Sequence, residues 1–173
     1  MDENLKLYQD KEHFRFNTDT KLLAKFVHLK KQERILDIGT NNAALLVYFD
    51  QFNVKELVGV EILEETSKVA QKNADMFIKH PVKIVNQPIQ RYEDDMFDVV
   101  ISRNLTWNLK DPKRAYEEWC RVLKPGGKLL NFDANWYGYL YDEEKRLSYE
   151  EDRKSVESEH LDDHYLCTDI DRM

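Results

Sequence analysis

The sequence predicts a doubly wound α/β domain built on a mostly parallel sheet. Two observations carry that reading. Five short apolar runs alternate with helical patterns at the spacing of βαβ units, and right-handed crossovers of such units make a parallel sheet. The first two of those runs close on an acid, Asp37 and Glu61. No repeat, low-complexity stretch or Pro/Gly/Ser-rich linker interrupts the alternation.

The elements follow in order. Residues 20–30 put Leu22, Leu23, Phe26 and Val27 on one face, an amphipathic helix. Residues 34–38 (RILDI) form a short strand that runs into Gly39. Residues 43–49 are apolar all round, as expected of a helix buried against a sheet. A second strand covers residues 57–62. The helix after it spans about 64–79, with Val69, Ala70, Asn73 and Phe77 on one face and Pro81 as its stop. Residues 82–85 and 97–102 are the third and fourth strands. Asp111-Pro112 is a strong helix start, an N-cap acid with proline at the first helical position. That helix runs through Ala115, Trp119 and Val122. Lys124-Pro-Gly-Gly127 is expected to end it, with a cation at its carboxyl end and glycines for the turn. Residues 128–133 are the fifth strand. From 143 to about 159 a charged helical stretch follows, and beyond it only Tyr165-Leu-Cys167 suggests extended chain.

Composition bounds the function. In 173 residues, 42% hydrophobic and 34% charged, there is room for one domain with a core, which excludes a disordered chain or a small disulfide scaffold. No apolar run reaches the ~18–20 residues of a membrane span, so no membrane partner is expected. The first twenty residues are polar and mixed in charge, unlike a signal peptide. Two cysteines, Cys120 and Cys167, without motif spacing fit a reducing cytoplasm and free thiols. Residues 1–140 are expected to form the ligand-binding domain. Residues 141–173 are expected to form an acidic, mainly helical segment of the same domain, in a chain that stops early for a sheet of this type. This segment carries twelve acids and five bases and so the whole net charge of -7. The body is neutral and the tail repels polyanions, so DNA is not an expected partner. Lys30, Lys31 and Arg34 read as solvated surface. A sheet of this type usually has its outer edge covered or paired, and here the outer strand is expected to leave an edge open to self-association.

In doubly wound sheets, ligands bind beyond the carboxyl ends of the strands at the switch point. Here that region reads Asp37-Ile-Gly-Thr-Asn-Asn-Ala43 after the first strand and Val60-Glu61-Ile62 after the second. Gly39 allows close approach of backbone to ligand, and the following helix would offer free N–H groups. Glu61 lies at the distance from the turn expected of a carboxylate that accepts two ribose hydroxyls. A dinucleotide site needs G-x-G-x-x-G, and this loop has one glycine. An acid before the turn suits a ligand with a cationic amino group and no phosphate.

This pattern resembles motif I of the class I S-adenosylmethionine-dependent methyltransferases, Asp/Glu-x-Gly-x-Gly-x-Gly, and implies the Rossmann-like fold of that class. Here that fold is expected to be short of the antiparallel strands that normally follow its fifth strand. Asn41 and Ala43 replace the second and third glycines. Asn is the non-glycine residue that best tolerates a left-handed backbone, and Ala has the smallest side chain with a Cβ. The resemblance implies S-adenosyl-L-methionine as cofactor. Asp37 and the Gly39 backbone would hold the methionine moiety and Glu61 the ribose hydroxyls. Thr40, Asn41, Ile62, Gln87, Ile89 and Ser102 would be further cofactor-binding residues. Pro88 has no N–H and stands where relatives often carry an acid, which leaves the Ile89 amide or the Gln87 side chain to meet the adenine. The alternative is a doubly wound domain whose Asp37 only caps a helix.

The two halves resemble different subfamilies. Residues 8–89, with Phe14-Arg-Phe-Asn-Thr-Asp-Thr20, Leu22-Leu-Ala24 and the Asp37 loop, are similar to bacterial adenine-N6 methyltransferases of valine tRNA. Residues 97–173, with Ile101-Ser-Arg-Asn-Leu-Thr-Trp107, Arg121-Val-Leu-Lys-Pro-Gly-Gly127 and Asn131-Phe-Asp-Ala-Asn-Trp136, are similar to type-11 methyltransferase domains. A fusion with its seam near residues 85–95 is the hypothesis that follows. Adenine-N6 enzymes need Asn/Asp-Pro-Pro-aromatic after the fourth strand, whereas this chain has Ser102-Arg-Asn-Leu105. The expected function is therefore methyl transfer with a small-molecule acceptor favoured over a tRNA base. The alternative is a non-catalytic remnant or binding module.

Asn104 and Trp107 are candidate substrate residues, with packing or turn roles as the alternative; Asn135, Trp136 and Tyr137 are weaker candidates. Phe14, Phe16 and Asn17 are candidates for a cofactor lid or for a hydrophobic staple of the first helix. His160 and His164, with Asp163, lie one helical turn apart, but no third conventional ligand accompanies them, so no metal site is expected. No Ser-His-Asp or Cys-His set can be assembled.

Overall fold

The structure, a computed structural model, describes residues 7–8, 18–135 and 137–158. Helix α1 (Thr18–Phe26) leads into strand β1 (Arg34–Ile38). Then follow α2 (Ala44–Phe49), β2 (Glu56–Val60), α3 (Glu64–Phe77), β3 (Val82–Val85), β4 (Phe97–Arg103), α4 (Pro112–Arg121), β5 (Leu123–Phe132) and α5 (Glu143–Ser158). The strands form one parallel sheet in the order β3-β2-β1-β4-β5. The doubly wound expectation is thus met, and the strand order reverses between β1 and β4. The chain divides into two compact units after Asp133. No described helix is long and apolar enough to cross a membrane.

Alternation along the strands supplies both faces of the core. Ile35, Leu57, Val99 and Ile101 pack with Leu23, Ala24 and Val27, with α2 and with Ala70. Leu36, Ile38, Val58, Val60 and Val100 pack on the other face with Ile89, Trp119 and Val122. All of these are buried, so each central strand reads as a continuous apolar run rather than an alternating one.

Three details differ from the sequence reading. In α1 the buried side is Thr20, Leu23 and Ala24, followed by Val27, while Leu22 and Phe26 are exposed. The strip that meets the sheet is narrower than the apolar stripe, and Phe26 instead meets the Phe132 ring of β5 at 6.4 Å. Lys124-Pro-Gly-Gly127 does not close α4, which ends at Arg121. It lies within β5 as an irregularity, where the pairing passes from Phe97–Leu123 to Val99–Lys128. Lys124 bonds Asp98 at 2.7 and 2.8 Å, and Arg121 is the cation of the last helical turn. Arg34 is no part of a basic surface, because its Nη2 meets Glu56 at 2.7 Å. Asp111 caps α4 as expected, accepting the Arg114 N–H at 3.0 Å.

Candidate cofactor site

The carboxyl ends of β1, β2 and β4 lie side by side, so the residues that follow them are neighbours whatever their separation in sequence. After β1 the backbone turns through three left-handed residues, Gly39 (φ 70°), Asn41 (φ 52°) and Ala43 (φ 60°). These are the three motif glycine positions, and the turn keeps its geometry with only one glycine left. For a residue with a Cβ that geometry costs about 1–2 kcal/mol, less for Asn.

The turn is held from inside. The Gly39 and Thr40 amides both donate to the Val60 carbonyl, at 2.9 and 3.0 Å, and the Ala43 amide donates to the Thr40 carbonyl at 2.9 Å. The Asn41 amide donates to Glu61 Oε2 at 3.1 Å. These four N–H groups of the loop are engaged within the protein. Gly39 contributes close approach: a Cβ there would lie 3.3 Å from Leu105 Cδ2.

Asp37, 2% exposed, is the last but one residue of β1, and it accepts a hydrogen bond from Thr40 Oγ1 at 2.7 Å. Burial raises its carboxyl to about 6, and the nearby Glu61 charge adds to this; the Thr40 hydroxyl and the Arg103 charge oppose it. Gly59, the register partner of Asp37, makes the arrangement possible. A Cβ at Gly59 would come within 2.8 Å of Thr40 Cγ2 and 2.9 Å of Leu46 Cδ1. Glu61 Oε1 accepts the Leu63 amide at 3.1 Å. A carboxylate has about four lone-pair sites, so two loop amides leave room for hydroxyl donors. Ile62 beside it is 73% exposed, a large apolar side chain at the mouth of the site.

Gln87 and Ile89 follow β3, one strand further out. The Ile89 side chain belongs to the core, so only its main chain can meet a ligand. Asn86, which sequence reasoning passed over, ties this end together: its Nδ2 donates to the Glu61 and Ile62 carbonyls at 2.8 and 2.9 Å. Ser102, at the end of β4 beside Ile38, is fully buried, and its Oγ has no partner.

The loop after β4 carries Asn104 and Trp107. Asn104 is left-handed (φ 50°), and its carbonyl accepts the Trp107 ring N–H at 3.1 Å. Asp133, also missed, secures this loop. Its Oδ2 accepts the Thr106 amide at 2.7 Å, the Trp107 amide at 3.3 Å and the Thr106 hydroxyl. An acid directly after a strand was the available signal, as at Glu61; for Gly59 it was a glycine inside a strand. Asn135 and Tyr137 belong to the second unit. Phe14, Phe16, Asn17, Trp136, His160, Asp163 and His164 lie outside the described residues. No cluster of three metal-ligating side chains occurs among the described residues.

A buried acid before a left-handed turn, a carboxylate directly after the next strand and a strand order that reverses between β1 and β4 define a Rossmann-like domain. The chain belongs to the methyltransferase domain family, which it matches over residues 36–131, a range that takes in residues 85–95. Over 133 residues it is 28% identical to the uncharacterized methyltransferase YcgJ of Bacillus subtilis. That match takes in 76% of this chain and 52% of YcgJ, so the chain spans about half the length of this relative. Of solved structures, BH2331 of Bacillus halodurans superposes with a TM-score of 0.61 at 28% identity, over 68% of this chain and 51% of that one. A S-adenosylmethionine-dependent methyltransferase from Geobacter sulfurreducens, in complex with S-adenosyl-L-homocysteine, shares the fold (TM-score 0.55, 20% identity, 66% of this chain and 47% of that one). S-adenosylmethionine is the family's cofactor, and the residues present fit it. Asp37 suits an ammonium, Glu61 retains acceptor capacity for vicinal hydroxyls, and the Ser102 hydroxyl is unsatisfied.

Proposed function

We propose that the chain is the cofactor-binding part of an S-adenosylmethionine-dependent methyltransferase whose acceptor is a small molecule. The observation that carries this reading is the left-handed turn at Gly39, Asn41 and Ala43, set between buried Asp37 and Glu61. A turn that stores strain persists where its surroundings over-determine it, and such sites cluster at ligand clamps. Asp37 takes the amino group of the methionine moiety, and the Gly39–Asn41 backbone passes close along it. Glu61 accepts the ribose hydroxyls. Ile62 covers one adenine face, with Gln87 and the Ile89 amide at the adenine edge. Ser102 closes the floor at β4, while Asn104 and Trp107 orient the acceptor. When bound, the cofactor supplies a methyl group already activated on a sulfonium, so the protein's main contribution is position and exclusion of water.

A small molecule is favoured over a tRNA base by the loop after β4. It has neither the prolines nor the aromatic that hold a flipped adenine, and its Leu105 packs toward Gly39 instead. The N-terminal likeness to tRNA methyltransferases keeps the base as second acceptor class. A non-catalytic binding module is the other reading, favoured by the engagement of Glu61 with two loop amides. The protein would work in the cytoplasm, with Cys120 as an exposed free thiol, and would self-associate through β5, the last strand of the described sheet.

Isothermal titration with S-adenosylmethionine and S-adenosylhomocysteine tests the reading, with Asp37→Ala as control. Micromolar binding lost in the control is the expected result. A folded protein that binds neither compound refutes it, and binding without transfer to any acceptor selects the binding module.

A further inference from the structure

Asn73 lies in α3 and is fully buried. An asparagine is a poor helix former, and a buried amide is costly unless its groups are satisfied. Here both ends of the amide are used. Its Oδ1 accepts the Tyr8 main-chain N–H at 2.9 Å. Its Nδ2 donates to the Tyr8 carbonyl and to the Asn42 carbonyl, each at 2.9 Å. Tyr8 is thus gripped through its main chain, as a strand residue is gripped in a ladder, by a side chain 65 positions away. The Lys72 ammonium lies 3.5 Å from the centre of the Tyr8 ring and adds a cation–π contact. Asn42 stands between the left-handed residues Asn41 and Ala43, so the carbonyl that Asn73 holds belongs to the strained centre of the cofactor turn.

We propose that Asn73 is a positioning residue for the cofactor turn and that the Tyr8 main chain completes the clamp, so that cofactor affinity depends on the docking of Tyr8. This rests on the cofactor reading above. With Tyr8 undocked, Asn73 Oδ1 loses its donor in a buried place, and the amide gains a reason to rotate away from Asn42. The Asn42 carbonyl is then released, and the peptide between two left-handed residues is free to relax. Binding at the turn and docking of Tyr8 are therefore linked, and each strengthens the other by the same factor.

Titration of the full chain with S-adenosylhomocysteine separates this from simple stabilisation. Tyr8→Pro removes the N–H that Asn73 Oδ1 accepts, while Tyr8→Ala keeps both main-chain groups and loses only the ring. We expect Tyr8→Pro to weaken binding about 10-fold and Tyr8→Ala less than about 3-fold. If Tyr8→Pro lowers the unfolding midpoint but binds as tightly as wild type, the clamp is only structural and the proposal is overturned. Should Tyr8→Pro fail to fold, amide exchange on the wild-type chain decides. Saturating S-adenosylhomocysteine should slow exchange of the Tyr8 N–H at least about 5-fold, and an unchanged rate overturns the proposal. A wild-type chain that binds no S-adenosylhomocysteine overturns the cofactor reading and the clamp's role with it. Binding that ignores Tyr8→Pro overturns the clamp alone.

Discussion

Glu56 and Asp98, at the amino-terminal ends of β2 and β4, are carboxylates surrounded by donors. Glu56 receives Nε and Nη2 of Arg34 at 2.9 and 2.7 Å and Lys83 at 2.8 Å. Asp98 receives the Arg34 amide at 2.8 Å and the Lys124 ammonium. Burial tends to raise both carboxyls, but their hydrogen bonds and the nearby cations outweigh it and hold them below the usual range. Asp37, at the opposite end of β1, has one hydroxyl for a partner, and burial wins. The backbone does not separate the ends: left-handed Gln32 and Asp95 precede β1 and β4, and left-handed Gly39, Asn41, Ala43 and Asn104 follow them. The difference lies in the carboxylates, which find donors of this chain at one end, while Asp37 at the other has one hydroxyl and the neighbouring Ser102 Oγ has no partner. A sheet that must bind something keeps its unsatisfied groups where the ligand arrives.

The largest test of this contrast exchanges one acid at each end. Asp37→Asn is expected to weaken S-adenosylhomocysteine binding about 100-fold without lowering the unfolding midpoint, because a desolvated charge is removed. Asp98→Asn is expected to lower stability by about 2 kcal/mol and to change affinity less than about twofold. If both variants behaved alike in calorimetry and denaturation, the two ends would not differ in kind.

The pH dependence sharpens the same point. Asp37 titrates near 6 when folded, above its ordinary value of 3.8, so the folded state binds the proton more tightly. Its penalty, of order 3 kcal/mol, is present at pH 7 and disappears as the pH falls toward 4. The lowered Asp50, Glu56 and Asp98 have the opposite sign. Their stabilisation is full above about pH 5, past the ordinary values of 3.8 and 4.5, and is lost as the pH falls through those values and below. Ligand-free protein should therefore be most stable near pH 5, measured by urea unfolding. Cofactor affinity should fall as the pH drops through about 6, because the protonated acid no longer attracts an ammonium. A stability maximum at pH 7 or above would remove Asp37 as the buried acid.

Two glycines make a smaller test. A Cβ at Gly59 meets Thr40 and Leu46, and one at Gly127 lies 2.9 Å from the Lys124 carbonyl. Each change to Ala should cost about 1–3 kcal/mol by overpacking. Only Gly59→Ala should also weaken cofactor binding, since it displaces the hydroxyl that bonds Asp37. The smallest effect belongs to Ala43→Gly. Relief of a left-handed Cβ is offset by a lost buried methyl and a more flexible unfolded chain, for a net change under about 1 kcal/mol.

The elements themselves were legible because hydrophobic periodicity is a property of the chain. Strands at 34–38 and 82–85 and the Asp111 cap need no tertiary information. The candidate site was legible in outline for a related reason: strand ends in this fold converge, so Asp37, Glu61 and Ser102 could be brought together from their places in the order of elements. The bonding roles of Asn86, Asp133 and Asn73 were not legible, because the partner of a side-chain amide or acid is known only once the chain is folded. The turn at Lys124–Gly127 was read as a helix end because glycine marks a turn and a strand irregularity equally well.

The sequence by itself determined a parallel α/β sheet, an acid at the end of each of its first two strands and a turn that departs from the glycine pattern at Asn41 and Ala43. Only the tertiary structure decided that this turn is left-handed at all three positions and that its N–H groups are engaged by Val60 and Glu61. It also decided that Asp37 titrates near 6 while Glu56 and Asp98 stay low. Residue types specify which groups a chain carries. Desolvation, strain and hydrogen-bond partnership depend on what surrounds each group, and those surroundings come from segments far apart in the sequence.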